Sequence, residues 1–237
     1  MTFTSIHFIL FFAVVFSIFH SLPDRWRNAW LLAASYFFYA YWSVKFLCLL
    51  IFTMAFDYAI ALAIETTPIV KRRKTCLVAS LVVNLGILFV FKYLNLFAGW
   101  TSALAGRPPY HFDIILPFGI SFYTFHAMSY VIDVYRRVIP AERNFTYYSC
   151  YVMFFPQLVA GPIARASHLL HQFRTPKRLK IENIVEGSYL IAKGYIFKVV
   201  FADTFGGYVD AYFGSEVIRP PFLMLIRCAH RKVQRLP

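Results

Sequence analysis

The chain has 237 residues, of which 59% are apolar, 20% aromatic and only 15% charged. An average soluble domain is about 45–50% apolar and about 25% charged, so this composition excludes an ordinary soluble domain, a disordered chain and a disulfide scaffold. A net charge of +13 would suggest nucleic acid as the partner of a soluble protein. Here the basic residues fall between apolar runs and no nucleic-acid module is present, so membrane lipids are the expected partner and nucleic acid is not. We predict an all-α polytopic membrane protein.

Five apolar runs are candidates for membrane helices, because crossing about 30 Å of hydrocarbon takes about 20 helical residues. The first run could instead be a cleaved signal peptide, but it lacks a basic start and a small-residue cleavage site. The basic cluster from Lys71 to Lys74 should be cytoplasmic under the positive-inside rule. Arg25 and Arg27 then also face the cytoplasm, and the N-terminus lies outside. The predicted spans are residues 5–22, 29–44, 46–64, 76–97 and 114–135.

Residues 145–164 form a sixth apolar run, but basic residues that should be cytoplasmic flank it on both sides. Its prolines favour backbone breaks, and irregular backbone at membrane depth is tolerated only where protein or water surrounds it. We predict a re-entrant segment, with a plain span whose C-terminal half is mobile as the alternative. The residues that point to this reading are Pro156, Gln157, Gly161 and Pro162.

The remainder of the chain carries more charge. Residues 165–187 are predicted to lie on the cytoplasmic surface. Residues 188–213 mix apolar side chains with lysines and aspartates, which a lipid-facing helix would not carry, so an interior or interfacial helix is expected. Residues 214–237 form an atypical basic tail.

Three ionisable residues lie inside apolar runs and are candidates for a functional or structural role. His126 stands in the middle of the fifth span, where it could be catalytic or could be a bundle histidine bonded to a neighbouring hydroxyl or carbonyl. Asp133 can pair with Arg137 one helical turn later. Asp57 has no partner within its own helix, so a partner on another helix is implied.

No signature of a soluble enzyme occurs in the chain. His168 and His171 are spaced to share a metal, but no third ligand is nearby and no metal site is predicted. The four cysteines are isolated, which indicates free thiols.

Three ordered motifs carry a resemblance to a known family. The first runs from Leu116 to Arg136 and begins LPFGISFYTF, the second is FPQLVAGPI from Phe155 to Ile163, and the third is KVVFAD from Lys198 to Asp203. Together with residues 28–41, these motifs resemble the membrane-bound O-acyltransferase (MBOAT) family, in its alginate O-acetylase branch. The resemblance covers residues 1–213.

The resemblance implies a multi-pass protein of the bacterial inner membrane. It implies transfer of acetyl groups from a cytoplasmic donor, acetyl-CoA, to hydroxyls of an exported polysaccharide, reached through periplasmic partner proteins. No cofactor is expected to stay bound. The family's fold is a funnel of helices whose re-entrant segments line a narrow channel, so Pro156, Gln157, Gly161 and Pro162 become channel-lining candidates.

The chain departs from the family at the catalytic centre. The family's hallmark histidine lies in a Trp-His stretch that these 237 residues do not contain. His126 stands where relatives usually carry Glu or Gln, so it is only a minor candidate and no catalytic residue is assigned. We expect an incomplete MBOAT bundle, the N-terminal half only, that is inactive alone because the basic relay residue and the helices that place it are absent. A frameshift or a degenerate gene end would account for the short chain, with a genuine short paralogue as the alternative. The alternative is a non-catalytic membrane scaffold or partner-binding remnant, which the coding DNA beyond residue 214 would distinguish.

Overall fold

The computed structural model describes residues 4–104, 106, 108, 112–117, 119–161, 164–175 and 180–213, with the side chains of 159, 160 and 211–213 excepted. Every regular element in these ranges is helical, which confirms the predicted all-α class. The α-helices are α1 Ile6–Ser21, α2 Asp24–Ala40, α3 Val44–Thr66, α4 Val70–Leu88, α5 Leu94–Leu104, α6 Ile120–Tyr135, α7 Phe145–Met153, α8 Phe155–Ala160, α9 Ala166–Arg174, α10 Ile181–Ile196 and α11 Asp203–Phe213.

Two of these helical stretches are long and apolar enough to cross a membrane. One is α3, with 23 residues, and the other is the continuous 35-residue helix Val70–Leu104, in which the π-helical segment Phe89–Tyr93 joins α4 to α5. Their outward faces are rich in exposed Phe, Val and Leu side chains, as expected for surfaces that contact lipid. Together with the composition, these helices make the chain a membrane protein.

Several helices begin at different residues from those predicted. The fourth starts at Val70 and not at 76, so the basic cluster forms its first turn; lysine and arginine are good helix formers. The second starts at Asp24 and not at 29, because extended Pro23 precedes it and an acidic first turn suits the helix dipole. The fifth starts at Ile120 and not at 114, because Gly119 adopts a left-handed conformation with φ +71°.

Helices α2 to α4, α6, α7 and α9 form the packed core of residues 7–177. Helix α4 packs against α3 and α6, and α7 packs against α2 and α9. Helix α1 contacts α2 and α8 through edge-to-face or tilted rings, for example Phe11 against Phe155 at 5.2 Å and Phe8 against Phe38 at 6.0 Å between centroids. Such aromatic pairs each contribute about 0.5–1.5 kcal/mol beyond area burial. The largest buried side chains include Tyr39, Tyr123, Tyr130, Tyr148 and Tyr151.

The run 145–164 is broken, as its prolines suggested. Helix α7 begins after Asn144, whose side chain accepts hydrogen bonds from the Thr146 and Tyr147 backbone N–H groups, and it ends at Met153. Phe154 leaves the helical conformation, with ψ 106°, and α8 begins at the next residue with Pro156 in its first turn, where proline costs no hydrogen bond. The side of the membrane to which this segment returns stays a prediction.

The described residues 4–6 and 180–213 belong to a separate compact unit. Within it one helical rod runs from Ile181 to Phe213, with the π-helical segment Phe197–Ala202 between α10 and α11. It begins seven residues before the predicted start at 188. The Lys198 ammonium group contacts the Asp203 carboxylate across the π segment. The predicted basic tail, 214–237, lies outside the described residues.

Candidate functional site

A buried polar cluster links α3 to α4. The carboxylate of Asp57 has no exposed surface, and it accepts hydrogen bonds from Ser80 Oγ at 2.6 Å and from Asn84 Nδ2 at 2.9 and 2.8 Å. These are the cross-helix partners that the sequence implied for Asp57. Both carboxylate oxygens are therefore satisfied inside the bundle, and the cluster joins two adjacent helices.

His126 is 1% exposed and lies between aromatic rings. Its ring centroid is 4.3 Å from that of Tyr151 and 5.5 Å from that of Phe122. Neither ring nitrogen has a hydrogen-bond partner among the described residues, so the expected bond to a hydroxyl or carbonyl is not formed. The Tyr151 hydroxyl does lie close, but it is 3.3 Å from the backbone oxygens of His126 and Ala164 and contacts those instead.

Asp133 is half-buried, and its predicted pairing with Arg137 is wrong. Helix α6 ends at Tyr135, and Arg137 has a φ of 60°, so the one-turn spacing of an α-helix is lost between the two side chains.

The C-terminal end of α6 is stabilised by Arg73 of the basic cluster. Its Nη2 donates to the Tyr135 carbonyl at 2.5 Å, and its guanidinium lies 5.3 Å from the Tyr135 ring centroid.

The first two motifs of the chain come into contact beside α8. A Cβ atom on Gly119, in the first motif, would lie 3.2 Å from the Leu158 carbonyl oxygen, in the second. Gly161 ends α8 with its N–H donated to the Gln157 carbonyl at 2.9 Å, and a Cβ there would lie only 2.4 Å from Gln157 Cγ. Both glycines are therefore required by close packing.

Pro156, Gln157 and Gly161 are half-buried in this packed region. Pro162 lies outside the described residues. That the four residues line a channel stays a prediction.

An ion pair between buried Glu142 and the exposed side chain of Arg174, which sequence reasoning missed, joins the loop before α7 to the end of α9. Glu142 is 4% exposed, and its Oε2 accepts from Arg174 Nε at 2.8 Å and Nη2 at 2.6 Å. Its Oε1 accepts from the Asn144 backbone N–H at 2.9 Å. One signal could have indicated it: Glu142 is the only acidic residue between Asp133 and Glu182.

Arg174 also lines a cavity of about 330 Å³ between α1, α2, α7 and α9. The cavity walls include the side chains of Arg25, Arg27, Asn28 and Gln172. Among its charged lining residues, three are arginines and one, Asp24, is acidic. In the described ranges, no group of three or more His, Cys, Asp or Glu side chains is placed to hold a metal ion.

These features define the class of protein: an all-α membrane protein in which buried carboxylates, such as that of Asp57, link elements of the bundle. The chain is 37% identical over 222 residues to the protein named "Probable alginate O-acetylase AlgI" of Pseudomonas aeruginosa, an alignment that covers 91% of this chain and 42% of that protein. It is 36% identical over 219 residues to the protein of the same name in Azotobacter vinelandii, covering 90% of this chain and 44% of the relative. The peptidoglycan O-acetyltransferase of Helicobacter pylori is 33% identical over 215 residues, covering 76% of this chain and 39% of that protein.

The chain belongs to the family of O-acetyltransferases that includes the alginate O-acetylases. The resemblance drawn from the three motifs is thereby confirmed. The chain spans less than half the length of the curated relatives it matches. No family model matches it, and no solved structure does.

Proposed function

We propose that the chain supplies part of the membrane domain of a polysaccharide O-acetyltransferase in a bacterial inner membrane, which it crosses several times. The acetyl group would come from acetyl-CoA on the cytoplasmic side and pass to hydroxyls of an exported, alginate-like polysaccharide through periplasmic partner proteins. The observation that carries this proposal is the 37% identity over 91% of the chain to a protein named as an alginate O-acetylase. Peptidoglycan is the second candidate acceptor, from the 33% identity to a peptidoglycan O-acetyltransferase.

The packing of the described helices supports a positioning role for this part of the enzyme. Gly119 and Leu158 bring two of its motifs together, while the buried carboxylates of Asp57 and Glu142 accept hydrogen bonds from other helices. No side chain is assigned to acetyl transfer. Because the Trp-His stretch of the family is absent from these 237 residues, the chain expressed by itself should be inactive.

A chimeric enzyme tests the proposal. The region of the Pseudomonas aeruginosa protein that aligns with this chain is replaced by the aligned residues of this chain, and the chimera is expressed in a strain that lacks its own acetylase. The readout is the O-acetyl content of secreted alginate. We expect acetylation clearly above the vector level from the chimera, and the vector level from the 237-residue chain alone.

Two controls make the result decisive. A chimera that carries Gly119→Val in the same segment should lose acetylation, because both the left-handed backbone and the contact with Leu158 exclude a branched side chain. The relative's own segment, excised and reinserted by the same route, should restore full acetylation. A chimera present in the membrane at the native level but without acetylation would contradict the proposal and favour a non-catalytic scaffold. Acetylation by the 237-residue chain alone would show that it contains its own catalytic residue.

A further inference from the structure

The cavity between α1, α2, α7 and α9 has fixed arginine side chains on two of its walls. Arg27, on α2, contacts Asp24 Oδ1 at 2.6 Å and donates from Nε to the Leu22 carbonyl at 2.9 Å. Its guanidinium also lies 5.6 Å from the Phe19 ring centroid. On α9, Glu142 holds Arg174 through two N–H donors. Both guanidinium groups are therefore positioned before any ligand arrives, which lowers the entropic cost of binding.

A third cation, Arg25, adds charge at the exposed edge of the same cavity. Asp24 is the only acidic side chain among the lining residues, against Arg25, Arg27 and Arg174. Glu142 offsets part of the charge of Arg174 from behind the wall. An arginine has five N–H donors, and the contacts described for Arg174 use two of them, so the group can still bind an anion.

The remaining polar lining is uncharged and consists of two amides, Asn28 and Gln172, and of Tyr147 and Thr175. The side chain of Asn28 donates to the Phe173 carbonyl at 2.8 Å and so ties α2 to α9, and both residues line the cavity. Gln172 is exposed on α9 and presents an amide to the same space. Guanidinium groups bind phosphate oxygens in a two-pronged geometry that lysine cannot match, and amides add hydrogen bonds without repelling an anion.

We propose that this cavity is a binding site for a phosphate group. Its volume of about 330 Å³ is at the small end of ligand pockets, and it suits a phosphate with a short attached group. The phosphate could belong to an anionic phospholipid headgroup, since basic pockets between membrane helices on the cytoplasmic side bind such groups. It could equally belong to a soluble nucleotide. The proposal does not depend on acetyl transfer, because a membrane protein of any activity could have such a phosphate site.

Binding measurements on the purified 237-residue chain in nanodiscs separate the two sources. In one arm, coenzyme A is titrated against the chain in phosphatidylcholine nanodiscs. In the other, native mass spectrometry counts retained phosphatidylglycerol after reconstitution in a mixture with phosphatidylcholine. We expect saturable binding in one arm. Binding of coenzyme A assigns the site to a soluble phosphate ligand, and enriched phosphatidylglycerol assigns it to a lipid headgroup.

Two variants that leave the described hydrogen bonds intact locate the binding site. Arg25→Gln removes one cation and Gln172→Glu adds one anion, and each should weaken binding about tenfold or more. The matched controls are Arg72→Gln, an exposed arginine on α4, and Ser167→Glu, an exposed residue of α9 outside the cavity. Both controls should bind like the unmodified chain.

The proposal is overturned if the unmodified chain binds neither probe. It is equally overturned if Arg25→Gln and Gln172→Glu bind as tightly as Arg72→Gln and Ser167→Glu. The readouts are binding constants and lipid counts, so they are independent of the chimera's acetylation activity.

Discussion

Replacing Arg174 by methionine tests whether the Glu142–Arg174 ion pair stabilises the packing of α7 against α9. The change keeps an unbranched side chain but removes the guanidinium, and it leaves Glu142 with a side chain that is only 6% exposed and has no cation beside it. Removing one partner of a fully buried pair costs about 3–5 kcal/mol, whereas an exposed pair is worth about 0–1 kcal/mol. Because the Arg174 side chain is 45% exposed, water replaces part of the lost interaction. We expect unfolding free energy to fall by about 1.5–2.5 kcal/mol.

A double-mutant cycle with Glu142→Gln isolates the pair itself. Glutamine retains the acceptor for the Asn144 N–H but loses the charge, so the single change should cost about 1–2 kcal/mol. In the double variant the two losses should not add, and the coupling energy should be about 1 kcal/mol or more. Equilibrium unfolding in mixed detergent micelles measures all three variants. Arg143→Met, at an exposed neighbouring arginine, is the matched control and should change stability by less than about 0.5 kcal/mol. Additive losses, or an Arg174→Met variant as stable as this control, would refute the reasoning.

Three further predictions concern single positions. Gly119→Ala should lower the unfolding free energy by about 1–3 kcal/mol, because the residue has a positive φ and a Cβ would press against the Leu158 carbonyl oxygen. Gly86→Ala, in open space on α4, is the control and should be neutral or slightly stabilising in the same unfolding assay. His126→Leu should leave stability unchanged or higher, since no described group bonds its ring; loss of acetylation by a stable chimera with this change would instead give His126 a functional role. In a variant without its native cysteines, Lys74→Cys should react with an impermeant thiol reagent only from the cytoplasmic side and Lys45→Cys only from the opposite side, and the reverse pattern would invert the topology.

The sequence alone determined the protein class and the family. Both depend on local properties: apolar runs of a given length require membrane helices, and short motifs keep their order and spacing whatever their surroundings. The break in residues 145–164 was also local, because proline lacks a backbone donor and phenylalanine-proline steps disfavour a continuous helix. The first residues of the helices were less well predicted. Pro23 and Gly119 set the starts of α2 and α6 through their backbone conformation, and a hydropathy pattern carries no information about backbone conformation.

Only the tertiary structure decided which polar side chains are partners. Ser80 lies 23 residues from Asp57, and Arg174 lies 32 residues from Glu142, so each pairing depends on which helix faces meet. The predicted Asp133–Arg137 pair failed because the helix ended two residues too early. His126 packs against the rings of Phe122 and Tyr151, and no described donor or acceptor reaches its ring nitrogens. Most buried polar groups have hydrogen-bond partners, and packing selects them, because a hydrogen bond forms only where the fold brings donor and acceptor within about 3 Å of each other.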